Sequence, residues 1–258
     1  MSISLVLSGG AARGAFELGV LQYFDEQNIQ IKNISGSSIG AVIACSYASG
    51  VKPKEILEIF KTQEMKKAIK FKFSNILKGG LFSIDLNSSL INKLFPIKNI
   101  EDIPKDIFVC VYDLKAKKIE YLNKGDVVQS CLASTALVPV FHSIKMNNKL
   151  YIDGGLKDNL PITPLLNFKE KIVTIDLFPS KTGSLCPMRK LNPITAIKKI
   201  LFKDMIKNSF ISLSKSDYVV TNEELRNTKI LSFENLDYNF NLGYESAKDF
   251  SDLQNLRN

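Results

Sequence analysis

The chain has 258 residues, enough for a sizeable core, and its 45% apolar and 23% charged composition is that of a globular protein, not a disordered one. Lys and Arg outnumber Asp and Glu by 34 to 26, a net +8 carried almost wholly by Lys, which suits an anionic surface better than base-specific reading of nucleic acid. No apolar run reaches the roughly 20 residues of a membrane span, the N-terminus lacks the basic start of a secretory signal, and four scattered cysteines with a single histidine support neither a metal cluster nor a disulfide framework.

Short apolar runs alternate with helical segments along the chain. Ile3–Ser8 reads as a buried strand and Gly14–Asn28 as a helix. Ile31–Ser35 reads as a second strand, followed by a helix over Ser38–Ser49. Pro53 suits the first turn of another helix, and Asp85–Phe95 is a further helix closed by Pro96. Ile107–Tyr112 and Lys118–Leu122 are expected as strands joined by a short turn, and Asp126–Ser134 as a helix. Lys149–Ile152 is a short strand running into Asp153, and Lys171–Leu177 a buried strand with Val173, Ile175 and Leu177 alternating. Pro193–Leu213 has helical apolar spacing, Asp217–Thr221 and Lys229–Phe233 are expected as late strands, and Leu242–Leu256 as a closing helix. Strands alternating with helices predict a mostly parallel sheet covered on both faces. With no repeat, low-complexity tract or clear linker, residues 1–258 are expected as a single domain.

Three loops carry the chemistry. Gly36-Ser37-Ser38-Ile39-Gly40 is a G-x-S-x-G between a strand and a helix, the setting in which a tight turn holds a nucleophilic Ser, here Ser38, out of the sheet. The helix N-terminus behind it offers N–H groups and a positive dipole end to a developing oxyanion. Gly9-Gly10-Ala11-Ala12-Arg13-Gly14 also sits between strand and helix, where small residues and successive N–H groups form an anion cradle. A dinucleotide reading of that loop lacks the middle Gly and the acidic residue after the next strand, and no Gly-Lys-Ser/Thr follows to make a P-loop. Asp153-Gly154-Gly155 puts a carboxylate at a strand end beside two uncrowded positions. A Ser nucleophile needs a base. The residues offer His142, the one imidazole, or Asp153 acting directly, its low basicity raised by a dry pocket.

Taken in this order, the three motifs resemble the patatin-like phospholipase family, with its G-G-x-x-R/K-G loop, G-x-S-x-G and D-G-G/A. The run Ala133-Ser134-Thr135-Ala136-Leu137-Val138-Pro139-Val140-Phe141 and Asn159-Leu160-Pro161 are similar to further family segments, so the resemblance spans about Ser2 to Asp176. It implies a patatin-like three-layer α/β/α sandwich and a Ser-Asp dyad without a catalytic His: Ser38 as nucleophile and Asp153 as base. It further implies an oxyanion hole from the N–H groups of Gly9, Gly10 and Ala11, with Ile39 as a further donor, and motif support from Arg13, Gly14, Gly36, Gly40, Gly154 and Gly155. Arg13 would anchor the loop or meet a lipid head group. Ala11 departs from the Gly of many members and would cost about 1–2 kcal/mol if its φ were positive.

The resemblance implies hydrolysis of lipid acyl esters with no metal or organic cofactor, and a lipid or phospholipid substrate met at a membrane. Lys61–Lys78 and Pro193–Leu213 interleave Lys with apolar residues and are the segments expected to touch an anionic membrane surface. No nucleic acid is expected as partner, for no recognition motif accompanies the charge. The expected location is cytoplasmic or peripheral to a membrane, with export by a route lacking a signal peptide left open. The other readings are a catalytically silent lipid-binding or regulatory protein on the same scaffold and a nucleotide binder using the Gly9–Gly14 loop.

Overall fold

In a computed structural model the described residues are 2–65, 89–137, 143–179, 205, 208–230 and 232–249. The strands are β1 (Ser2–Leu7), β2 (Gln30–Ser37), β3 (Asp106–Asp113), β4 (Lys118–Leu122), β5 (Ile144–Met146), β6 (Lys149–Asp153), β7 (Lys171–Ile175) and β8 (Tyr218–Val220). They form one sheet in the order β5-β6-β3-β2-β1-β7-β8, with β4 also on β3. The five strands β3, β2, β1, β7 and β8 run parallel, while β4, β5 and β6 pair antiparallel. β1 lies between two parallel neighbours and is covered on both faces, so it is apolar nearly throughout. Ile3, Leu5 and Leu7 enter the larger core, whereas Val6 joins a smaller one with Leu160, Ile162, Leu165 and Ile172.

The helices are α1 (Gly14–Glu26), α2 (Ile39–Ala48), α3 (Pro53–Lys61), α4 (Ser89–Leu94), α5 (Val127–Ser134) and α6 (Leu236–Asp249). α3 opens with Pro53 at its first turn, and the side chain of Asp126 caps α5 by accepting from the Gln129 N–H at 2.7 Å. The larger core is built from α1, α2, α3, α5 and α6 against the sheet. The other face is covered by residues 160–168 and by a helical stretch, 208–215, whose Leu213 packs on the smaller core. α1 and α6 cross at a pair of glycines. A Cβ on Gly19 would stand 1.9 Å from the Phe240 carbonyl oxygen, and one on Gly243 2.0 Å from that of Phe16. No side chain fits at either point.

Three departures from the sequence reading have local causes. Lys229–Phe233 is no strand among the described residues, because its neighbourhood serves the loop after β1 instead of a ladder. The Ile230 carbonyl accepts the Ala12 N–H at 2.9 Å, and the Thr228 carbonyl accepts from Arg13. The closing helix begins at Leu236, six residues before the expected start, where the 3₁₀ turn Phe233–Asn235 leads into it. β5 was absent from the pattern because it is three residues long. It pairs with β6 through Asn147 and Asn148, both at positive φ (50° and 60°), the conformation a tight hairpin demands. Of Asp85–Phe95, Ser89–Leu94 is helical, with residues 85–88 outside the described residues.

The edge of β3 that faces β2 places the site. β2 pairs with β3 up to Ser37 opposite Cys110, where it turns into α2. β4 lies along the opposite edge of β3, from Val109 to Asp113. β6, running the other way, therefore shares the β2 edge and ends with Asp153 opposite Val111. Two strands arrive head to head on one edge, at adjacent residues of β3.

Candidate active site

Ser38 is the first residue beyond β2 and caps α2 with φ 50° and ψ −121°. Positive φ is costly for a residue with a Cβ, on the order of 1–3 kcal/mol, and it turns the side chain out of the sheet. The turn is sealed from below: Gly40 lies against the carbonyls of Leu7 and Ser8, and Gly36 against the backbone of Gly40. The Ser38 N–H donates to Ser134 Oγ at 2.9 Å, and that hydroxyl donates to the Cys110 carbonyl at 2.7 Å.

Asp153 ends β6 and is buried. Its N–H donates to the Ala136 carbonyl at 3.0 Å, and its Oδ1 accepts the Gly155 N–H at 2.8 Å. The Ser38 side chain lies near enough to the carboxyl to favour its charged form. Burial pushes its pKa up to about 7, with the nearby Ser38 side chain and the Gly155 N–H acting in the opposite sense. Gly154 lies against the Cys110 backbone, which lets the chain leave β6 sharply. A second buried carboxyl, Asp158, is pushed up to about 6 by desolvation and accepts from the Tyr121 hydroxyl at 2.6 Å.

The Gly9–Gly14 loop closes the other side. A Cβ on Gly9 would stand 3.1 Å from the Ser38 Cβ and 2.7 Å from Asn159 Oδ1, so only Gly lets the loop come this close to the nucleophile. Gly9, expected as an oxyanion donor, gives its N–H to Asn159 Oδ1 at 3.1 Å, and its carbonyl accepts from Asn159 Nδ2 at 3.3 Å. The same Asn159 amide oxygen lies 3.3 Å from the Ser37 hydroxyl, which donates to the Asn159 carbonyl at 3.0 Å. One buried amide thus ties the glycine loop to the nucleophile turn. Ala11 holds φ 49°, the positive value at which the sequence argument assigned it a cost. Among the described residues, no hydrogen bond engages the N–H groups of Gly10 and Ala11.

Arg13 is an anchor. It is buried and donates to the Leu177 carbonyl at 3.0 Å and to the Thr228 carbonyl at 2.9 Å, with its guanidinium 5.4 Å from the Phe178 ring centroid. Those contacts fasten the loop to the residues that follow β7. Next to it, Glu17 is fully buried, and burial pushes its carboxyl well above the ordinary range. Neither of its oxygens meets a well-formed hydrogen bond, although the Ser8 backbone lies near enough to favour the charged form.

The family scan matches residues 5–166 to the patatin-like phospholipase family. The chain belongs to this family. The patatin-like chain is 26% identical over 192 residues to an uncharacterized NTE family protein of Mycobacterium bovis, covering 74% of this chain and 52% of that one. It is 27% identical over 169 residues to a lysophospholipase of Mycosarcoma maydis, covering 64% of this chain and 9% of that one. The chain therefore spans about half the length, or less, of these curated relatives. Among solved structures, VipD from Legionella pneumophila superposes with a TM-score of 0.51 at 16% identity, covering 97% of this chain and 67% of that one. The type III effector protein ExoU also gives 0.51, at 15% identity and with coverage of 99% and 53%. Both are likenesses of fold.

His142 and the stretch 138–142 lie outside the described residues, as do 66–78 of the first basic segment and 193–204 with 206–207 of the second. Lys61, at the start of the first, is paired with Glu58 and Asp237, each at 2.9 Å. From the second, Phe210 and Ile211 are exposed. No helix of the described residues is long and apolar enough to cross a membrane. The motifs named Ser134 and Asn159 only as members of a pattern. Their hydrogen bonds reach 96 and 150 residues along the chain, a link that spacing does not show.

Proposed function

We propose that the chain is a serine lipid acyl hydrolase of phospholipase A or lysophospholipase type, working through a Ser38–Asp153 dyad. The meeting of Ser38 with a buried Asp153 at adjacent residues of one β3 edge, the Asp153 pKa pushed up to about 7, is the observation that carries this reading. A carboxylate of ordinary acidity is a poor base for a hydroxyl; one that holds its proton near neutral pH is a far better match. Ser38 Oγ attacks the ester carbonyl carbon as Asp153 takes the Ser38 proton. The carbonyl oxygen becomes the oxyanion and rests on the N–H groups of Gly10 and Ala11, with Ile39 at the start of α2 as a further donor. Asn159 holds Gly9 and so fixes where those N–H groups point. Collapse of the tetrahedral centre breaks the bond to the alcohol, which leaves with the proton from Asp153. Water, giving a proton to Asp153, then attacks the acyl-Ser38 carbonyl. Collapse frees the fatty acid and returns that proton to Ser38.

Access to lipid is assigned to the segments rich in Lys and apolar residues, which would bring the site to an anionic surface. The exposed Phe210 and Ile211 suit that contact. Fatty-acid release from mixed anionic phospholipid vesicles, wild type beside Ser38→Ala, tests the reading. Release by wild type alone supports it. Equal release by both removes Ser38 from the mechanism, and no release by a folded wild type on diacyl, lysophospholipid and neutral lipid substrates removes the hydrolase.

A further inference from the structure

The end of α5 touches both members of the dyad. Ser134 Oγ accepts the Ser38 N–H at 2.9 Å, and two residues later the Ala136 carbonyl accepts the Asp153 N–H at 3.0 Å. Ser134 is fully buried, and its own proton is committed to the Cys110 carbonyl at 2.7 Å. That commitment fixes the hydroxyl rotor, so a lone pair stays aimed at Ser38. Cys110 is the β3 residue opposite Ser37, and its neighbour Val111 is opposite Asp153. The chain Ser38 N–H to Ser134 Oγ to Cys110 carbonyl therefore crosses the gap where the two strand ends meet.

We propose that Ser134 is a positioning residue: its hydroxyl holds Ser38 in the positive-φ conformation that keeps the nucleophile within reach of Asp153. The proposal rests on the hydrolase reading for its kinetic consequence, although the hydrogen bond itself is tested independently. At φ 50° the Ser38 N–H is turned to Ser134 Oγ, its one acceptor among the described residues. Without an acceptor there, the turn gains by relaxing, and the Ser38 side chain moves away from the carboxylate. The same bond has a second effect. It takes the Ser38 N–H out of the set of donors available to the oxyanion and leaves that task to the glycine loop.

The test compares wild type, Ser134→Ala, Ser134→Thr and Ser134→Cys, each checked for cooperative unfolding. Ser134→Ala is expected to lower kcat by about 10-fold to 100-fold with KM within twofold of wild type. Because the nearness of Ser38 opposes the rise in the Asp153 pKa, its withdrawal should also move the alkaline-rising limb of the pH–rate profile to higher pH. Ser134→Thr keeps the hydroxyl and should recover most of the rate. Ser134→Cys, a weak acceptor of similar size, should not. Hydrogen exchange over residues 36–40 reads the bond directly: the Ser38 amide should exchange at least 10-fold faster in Ser134→Ala and regain protection in Ser134→Thr. Wild-type kcat and an unmoved pH profile in Ser134→Ala would overturn the proposal, as would unchanged exchange whatever the rate does. Should wild type itself release no fatty acid, the hydrolase reading falls, and the exchange measurement still decides whether Ser134 holds Ser38.

Discussion

Replacing Asp153 with Asn should make the protein more stable at alkaline pH while abolishing turnover. The native carboxyl is pushed from 3.8 up to about 7, chiefly by burial. Between those values the folded chain keeps a proton that the unfolded chain has lost, so stability falls as pH rises from about 4 to about 7 and is level above. Each pH unit in that window is worth about 1.4 kcal/mol, which sets a ceiling of about 4 kcal/mol on the loss. Asn is neutral throughout and retains an oxygen for the Gly155 N–H. Urea unfolding of both proteins at pH 4.5, 6, 7 and 8 reads the difference. The other lifted carboxyls, Asp158, Asp176 and Glu17, are common to both chains and cancel. Near-equal stability at pH 4.5 and a gain for Asp153→Asn that grows to about 2–4 kcal/mol by pH 8 is the expected outcome. A difference that does not vary with pH, or a variant less stable at pH 8, would refute the claim that burial sets the basicity of this residue.

The same titration should govern turnover: kcat/KM on a soluble acyl ester should rise about tenfold per pH unit below about 7 and level off above it, and a limb centred below pH 5 would contradict this. Ser38→Gly should raise stability by about 1–2 kcal/mol in chemical denaturation, since Gly tolerates φ 50°; an equal or lower midpoint would mean that the turn is not strained. In an exposed helix Gly→Ala is favourable by about 1 kcal/mol, but Gly19→Ala should instead destabilise by about 1–3 kcal/mol, because its Cβ would stand 1.9 Å from the Phe240 carbonyl oxygen. A rise in Tm for this variant would show that the α1–α6 crossing is looser than drawn.

The parallel half of the sheet was legible because a strand covered on both faces carries little polar surface: Ile3–Leu7 and Ile172–Ile175 are apolar but for one hydroxyl each. The nucleophile turn was legible because its glycines fall within five consecutive residues, Gly36 making room for the Gly40 backbone and Gly40 for the carbonyls of Leu7 and Ser8. The antiparallel end was harder. β5 and β6 are short, and the sharp turn at Asn147-Asn148 lacks the Gly that usually marks such hairpins. Lys229–Phe233 is rich in apolar residues like a strand, yet Ile230 and Thr228 spend their carbonyls on Ala12 and Arg13. The sequence motifs brought Ser38 and Asp153 onto one list, but their meeting on one edge of β3 depends on the register of three strands, which no local pattern records.

The α1–α6 crossing separates two kinds of boundary. The family match stops at residue 166, a span that holds every motif described above. A fragment cut there would lose β7, β8 and α6. One edge of β1 would be stripped of its partner, the Gly19 groove of α1 would open to water, and Arg13 would lose both of its carbonyl acceptors. The recognisable part of the chain is thus shorter than the part that packs together, and Leu177, Thr228 and Ile230, none of them motif residues, supply the carbonyls that hold the glycine loop.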